Sequence, residues 1–179
     1  TAGFLGSTLL KALESGRQAG TLLALDCQPP PFRMKKGKFY KIDLTETGVE
    51  QKLLPLFKRH KIQILLHAAL LSQPIRNLEK SHELQSVGTM HLLTAAAAAG
   101  IPKLILASTT DVYGAFPDNP NFLTEDMSPK GYLLNPYLAD RIDAEKQALK
   151  FQGKNPDRVV TILRSCTTLG PTIDSFKTR

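Results

Sequence analysis

Tryptophan is absent from this chain of 179 residues, and cysteine occurs only twice. Cys27 and Cys166 lie far apart, with no C-x-x-C or Cys/His spacing, which excludes a disulfide framework and a zinc site and fits a reducing, cytoplasmic setting. No run of about 18 apolar residues occurs, so the sequence predicts no membrane span. Long polar tracts are also missing, which argues against disorder. Acidic residues are the minority, 16 against 23 Lys and Arg, for a net charge of +7. The basic residues cluster in "RMKKGK" (33 to 38) and "FKRHK" (57 to 61). No aromatic interleaving or nucleic-acid motif accompanies them, so they read as solvated loop and helix ends, and nucleic acid is not an expected partner.

What is present is a 42% apolar chain, enough for one domain with a core. Short apolar stretches alternate with helical patterns. Strands are predicted at "TLLALD" (21 to 26), "KFYKID" (38 to 43), "IQILLHAA" (62 to 69), "KLILAST" (103 to 109) and "RVVTILR" (158 to 164). Helices are predicted after Gly6, across 49 to 60 where Pro55 should kink or shorten the helix, from Leu78 to Ala99, and from Asn135 to Phe151. Gly100 and Pro102 supply a stop signal, and Asn135 with Pro136 supplies a cap and first turn. This alternation predicts an α/β fold, a doubly wound parallel sheet with helices on both faces. Ligands of such sheets lie beyond the carboxyl ends of the strands, which here carry Asp26, Asp43, His67 to Ala69, Thr109 and Arg164.

The chain opens "TAGFLGSTLL", with Gly3 and Gly6 spaced as the second half of a G-x-x-G-x-x-G phosphate-binding turn. The first glycine and its strand are expected before Thr1. Asp26 follows Gly3 by 23 residues, close to the spacing at which a carboxylate meets an adenosine ribose. Its charge would oppose a 2′-phosphate and favour NAD over NADP, a preference that Arg33 or Lys35 could soften. Taken alone, the two features equally describe an ordinary turn and a capping Asp.

They do not stand alone. "ASTTDVYG" (107 to 114), "LTED" (123 to 126), "NPYLADR" (135 to 141) and "LRSCTTLGP" (163 to 171) follow one another in the order and spacing of the extended short-chain dehydrogenase/reductases. Together with the glycine turn, Asp26, Asp43, "HAA" (67 to 69) and "GT" (88 and 89), they make the whole chain resemble the NAD-dependent epimerase/dehydratase family. The resemblance implies a Rossmann domain over residues 1 to 164, lacking its first strand, and the start of a substrate-binding region over 165 to 179. It implies NAD as cofactor, no metal, a nucleotide sugar or similar hydroxyl compound as substrate, and a homodimer that pairs the 78 to 99 and 135 to 151 helices. "LLTAAAAAG" suits close helix approach.

Carried over residue by residue, the resemblance makes Tyr137 the acid/base and Thr109 a hydrogen-bond partner of the same substrate oxygen. Arg141 stands where the family's Y-x-x-x-K motif has lysine. A phenol of ordinary pKa, near 10, needs a cation beside it to work at neutral pH, and arginine keeps that charge in a bulkier, planar form. Lys146 is half a helical turn off the Tyr137 face. The implied cofactor set is Gly3, Phe4, Leu5, Gly6, Asp26, Asp43, Leu44, His67, Ala68, Ala69, Gln85, Ala107, Tyr137, Arg141 and Cys166. Gln85 replaces a common Asn, and Leu71 follows "HAA" where some members place a polar group. Read singly, Tyr113 is a core tyrosine, His67 a strand end offering mainly backbone, and Asp111 a turn former. "TTD" (109 to 111) departs from the Thr-Asp-Glu run of 4,6-dehydratases, which favours an epimerase or simple oxidoreductase. The rival reading is an NAD-binding protein impaired in catalysis or serving as a sensor, resting on Arg141.

Overall fold

The computed structural model describes residues 3–16, 20–71 and 74–167. In chain order it contains α1 (Phe4–Ser15), β1 (Leu22–Asp26), β2 (Gly37–Lys41), α2 (Glu50–Arg59), β3 (Ile64–His67), α3 (Leu78–His82), α4 (Gly88–Ala99), β4 (Lys103–Thr109), α5 (Pro136–Lys154) and β5 (Val159–Ser165). All strand pairs are parallel. β1 pairs with β2, Leu22 opposite Gly37, and β4 lies between β3 and β5, with Leu104 opposite both Leu65 and Val160.

The strands form two sheets, β1-β2 and β3-β4-β5. β1 and β3 are not hydrogen-bonded to each other among the described residues. β3 buries Leu65 and His67 while Ile64 and Leu66, on its other face, are exposed, unlike the two-sided burial usual for parallel strands. One core serves both sheets: Leu53 and Phe57 of α2, Leu92, Ala95 and Ala96 of α4, Leu104 and Leu106 of β4, and Ala148 and Phe151 of α5, with Leu25 and Tyr40 packed against it.

Three expectations about helices change. Pro55 lies inside α2 without ending it, because Leu53 and Phe57 on either side of it are buried in the core and hold the turn. The 78 to 99 segment is not one uniform helix: a π-helical turn, Glu83–Val87, separates α3 from α4 and buries Gln85 and Ser86. A Cβ on Gly88, just after it, would come within 3.0 Å of Leu44 Cβ, so glycine lets this helix close on the chain after β2. Finally, Ala95 and Ala96 are in the core, where α4 packs on α2, so these small side chains serve the fold and not an external helix. Gly100 ends α4 in the left-handed conformation at φ 73°, as its stop signal predicts.

α5 begins as expected. The Asn135 side chain accepts a hydrogen bond from the Leu138 N–H at 3.0 Å. The helix runs past Phe151 to Lys154 and closes with Asn155 donating to the Phe151 carbonyl at 2.7 Å.

Candidate active site

The first two turns of α5 carry Tyr137 and Arg141, four residues apart and therefore on one face. Both are buried. The Tyr137 hydroxyl donates to the Leu71 backbone carbonyl at 2.9 Å and accepts from Arg141 Nη2 at 3.2 Å. The same Nη2 donates to the Leu71 carbonyl, and Nη1 reaches the Ala107 carbonyl at 3.5 Å. The guanidinium carbon stands 5.6 Å from the Tyr137 ring centroid. The phenol thus sits between a backbone acceptor and a fixed cation. Leu71, where sequence reasoning looked for a polar side chain, contributes its backbone.

Beside them, Gln85 is fully buried and donates through Nε2 to Ser81 Oγ at 3.1 Å and the Tyr137 carbonyl at 3.5 Å. His67 contributes its ring and not mainly its backbone, correcting the expectation. It is 2% exposed, and its Nε2 is 2.9 Å from Thr89 Oγ1, which donates to the Gln85 carbonyl at 2.6 Å. Burial, and then the nearby Arg141 charge, lower the His67 pKa to about 4. His67 is therefore a neutral structural post at physiological pH.

Thr109, at the end of β4, does not hydrogen-bond Tyr137. Its hydroxyl accepts from the Asp111 N–H at 3.2 Å and caps the 3-10 turn Thr110–Tyr113, because the chain turns sharply there. Asp111 takes the turn position expected of it. Tyr113 is a buried tyrosine packed with Val112 and Ile142, as expected, but its hydroxyl also donates to the Thr124 carbonyl at 3.0 Å and accepts from Arg164 Nη1 at 2.7 Å.

Sequence reasoning missed Glu145. It is 2% exposed and accepts from Ser108 Oγ at 2.5 Å and from Arg164 Nη2 at 2.7 Å. A signal for it existed: Glu145 lies eight residues beyond Tyr137, about two turns along the same face. Lys146 is exposed, in line with its predicted position off that face.

The remaining candidates lie around α1 and just beyond the ends of β1, β2, β3 and β5. Gly3 caps α1 in an extended conformation, and Phe4 and Leu5 are exposed while Gly6 is half-buried within the helix. Asp26 ends β1; its Oδ1 accepts from the Gln28 N–H at 3.2 Å, and its carbonyl accepts from the Ile42 N–H at 3.0 Å. The Cys27 thiol is pushed up by burial and by Asp26. Asp43 Oδ1 accepts from the Thr45 N–H at 2.9 Å and hydroxyl at 2.8 Å, and these bonds hold its carboxyl below the usual range. Leu44 is a core residue, Ala68 and Ala69 are half-buried, and Cys166 is exposed. The structure therefore gathers His67, Gln85, Ala107, Tyr137 and Arg141 around Leu71, and places Asp26 and Asp43 at the other sheet. The "LGP" portion of the last motif lies outside the described residues.

Among the described residues no group of three or more His, Cys, Asp or Glu is placed to hold a metal ion. No helix among them is long and apolar enough to cross a membrane.

Comparison with known proteins adds to this geometry. The model of the NAD dependent epimerase/dehydratase family matches residues 1–179. The chain is 31% identical over 182 residues to the UDP-glucose 4-epimerase of Yersinia enterocolitica, covering 94% of this chain and 52% of that protein. It is 27% identical over 183 residues to an uncharacterised protein of Mycobacterium tuberculosis, covering 98% of this chain and 48% of that one. Among solved structures, MoeE5 in complex with UDP-glucuronic acid and NAD superposes with a TM-score of 0.76 at 27% identity, over 91% of this chain and 51% of that one. The Thermus thermophilus UDP-glucose 4-epimerase complex with NAD gives 0.74 at 25%, over 91% and 52%. The chain spans about half the length of the curated relatives it matches.

Proposed function

The chain belongs to the NAD dependent epimerase/dehydratase family, and from that premise we propose that it serves an NAD-dependent oxidoreductase of the epimerase or dehydratase type acting on a nucleotide sugar, with Tyr137 as the acid/base. The observation that carries the reading is the hydrogen bond from Arg141 to the Tyr137 hydroxyl. A tyrosine hydroxyl fixed in this way would exchange a proton with a substrate hydroxyl as general acid/base. Thr109, whose hydroxyl accepts from the Asp111 N–H, would donate its hydroxyl proton to orient the same substrate oxygen.

The residues fit NAD on one structural ground. Among the described residues, Arg141 Nε and Gln85 Oε1 are buried without a partner. An unpaired buried donor or acceptor costs about 1 to 3 kcal/mol, and a ribose hydroxyl would satisfy the Arg141 donor. Arg141 would hold the ribose next to the nicotinamide, the half-buried Ala68 and Ala69 would leave room for the cofactor, and Asp26 would accept from the adenosine ribose. When bound, NAD supplies a hydride acceptor. Tyr137 moves the proton, Arg141 balances the phenolate charge, and the buried His67, Thr89 and Gln85 keep water from that wall.

UDP-sugars are the favoured substrates because UDP-glucose 4-epimerases are among the relatives. A homodimer across the outer faces of α4 and α5 is part of the proposal. Exposed Met90 and Leu149 support it, whereas the buried alanines of α4 do not. Light scattering of the whole protein at micromolar concentration should report two copies, and a monomer would refute that part.

The test of activity is to incubate the whole protein with NAD and a panel of nucleotide sugars, following sugar conversion and nicotinamide reduction. Tyr137→Phe keeps the ring packing and removes the hydroxyl, so turnover should fall about 10²- to 10⁴-fold while NAD binding persists. Turnover at the parent rate would leave a cofactor-binding protein as the better account.

A further inference from the structure

Asp140 lies on α5 between Tyr137 and Arg141 and is not used by the chemistry above. It is 9% exposed. Its carboxylate is held by two neighbouring residues of α3: His82 Nδ1 at 2.8 Å from Oδ1, and Ser81 Oγ, which donates to Oδ2 at 3.4 Å. Ser81, itself 1% exposed, accepts from Gln85 Nε2, and Gln85 donates in turn to the Tyr137 carbonyl. The start of α5 is therefore tied twice to the segment from α3 through the π-helical turn, once through a side chain and once through the backbone of Tyr137.

We infer that Asp140, clamped by Ser81 and His82, is a positioning residue that sets Tyr137 and Arg141 against the Leu71 carbonyl. The inference rests on the reading of Tyr137 as the acid/base. Cohesion alone does not require the clamp, because α5 already buries Leu138, Ile142, Ala144, Ala148 and Phe151. A buried carboxylate is costly unless fully partnered, and an apolar side chain would pack at less expense, so what the clamp adds is a defined place for the helix start. The bonds it protects are close in space and share one acceptor: both Tyr137 and Arg141 donate to Leu71. A small shift of α5 would lose them together. Misplacement of a reacting group by about 1 Å can cost about 100-fold in rate.

The clamp is also titratable. His82 faces Asp140 and Asp143 on α5 and adjoins Glu83 on its own segment, and its pKa is raised, first by the hydrogen bond to Asp140 and then by these charges against some burial. With the folded value above the ordinary one, the imidazolium contact is complete below about pH 6.5 and weakens as pH rises through the raised value.

The test uses the whole protein with NAD and UDP-glucose as probe, and compares the parent, Asp140→Asn, His82→Ala and Tyr137→Phe. Asp140→Asn keeps the shape and removes the charge. It should lower kcat about tenfold while KM and the Kd for NAD stay within about twofold, and nuclear magnetic resonance should show the His82 pKa falling towards its ordinary value. His82→Ala alters a side chain that is 57% exposed, so it should fold, and it should remove one inflection from the alkaline side of the kcat profile. Parent-like kcat and pH profiles in both variants, with Tyr137→Phe inactive, would overturn the positioning role alone. An active Tyr137→Phe, or a parent that does not turn over, would sink the acid/base reading and this inference together.

Discussion

Arg141 donates to the Tyr137 hydroxyl across 3.2 Å from one turn further along α5, while the same guanidinium group reaches the carbonyls of Leu71 and Ala107. Three acceptors on three chain segments are thus joined by one planar side chain. A lysine ammonium is a compact point charge that does not span such a fork.

Arg141→Lys, which restores the residue usual in the family motif, should therefore lower kcat. The pocket is shaped around a guanidinium, and losing one charged hydrogen bond costs about 1.5 to 3 kcal/mol, or about 10- to 100-fold in rate. Steady-state kinetics decide the matter. A faster variant would identify the parent as a damaged enzyme and support the impaired-catalysis reading.

Asp26→Ala should narrow the preference for NAD over NADP, because the carboxylate at the end of β1 is the group expected to accept from the ribose hydroxyls and oppose a 2′-phosphate. Titration of both cofactors against parent and variant measures this. Equal affinities in the parent would remove Asp26 from the cofactor set.

His67 makes acid stability testable. Its folded pKa, about 4, lies below the ordinary value of 6.5, so the unfolded chain binds the extra proton between these limits. Its contribution is therefore present above pH 6.5 and is lost as pH falls towards 4, by up to about 3 kcal/mol. His67→Gln removes the titrating group and can keep a bond to Thr89. Denaturant melts at pH 7 and pH 4.5 should show a smaller acid loss for the variant than for the parent, and equal losses would contradict the assignment.

Arg164→Ala should destabilise the fold by about 3 kcal/mol, the lower end of the cost of breaking a buried pair. It leaves the Glu145 carboxylate, 3% exposed at its side chain, with Ser108 as its remaining charge-stabilising partner. Glu145→Gln should cost less, since a neutral amide still bonds Ser108 without leaving a buried anion. Thermal melts of the two variants rank them, and the reverse order would argue against the pair as an anchor of α5 on β4 and β5.

What the sequence by itself determined was local. The i, i+4 spacing placed Tyr137 and Arg141 on one helix face, Asn135 and Gly100 marked helix ends that the structure keeps, and β4 was read with its boundaries correct. These features depend on backbone geometry and neighbours within one or two turns, which a linear pattern records. Tertiary structure decided the rest. It paired the strands into two sheets, buried the His67 ring, widened the 83 to 87 turn and kept Pro55 inside α2. It also chose the Leu71 carbonyl as partner for a tyrosine 66 residues away, and Arg164 as partner for a glutamate 19 residues away. Such partners are selected by packing and by the need to satisfy each buried polar group, and nothing in the spacing of residues along the chain encodes which distant group will be within reach.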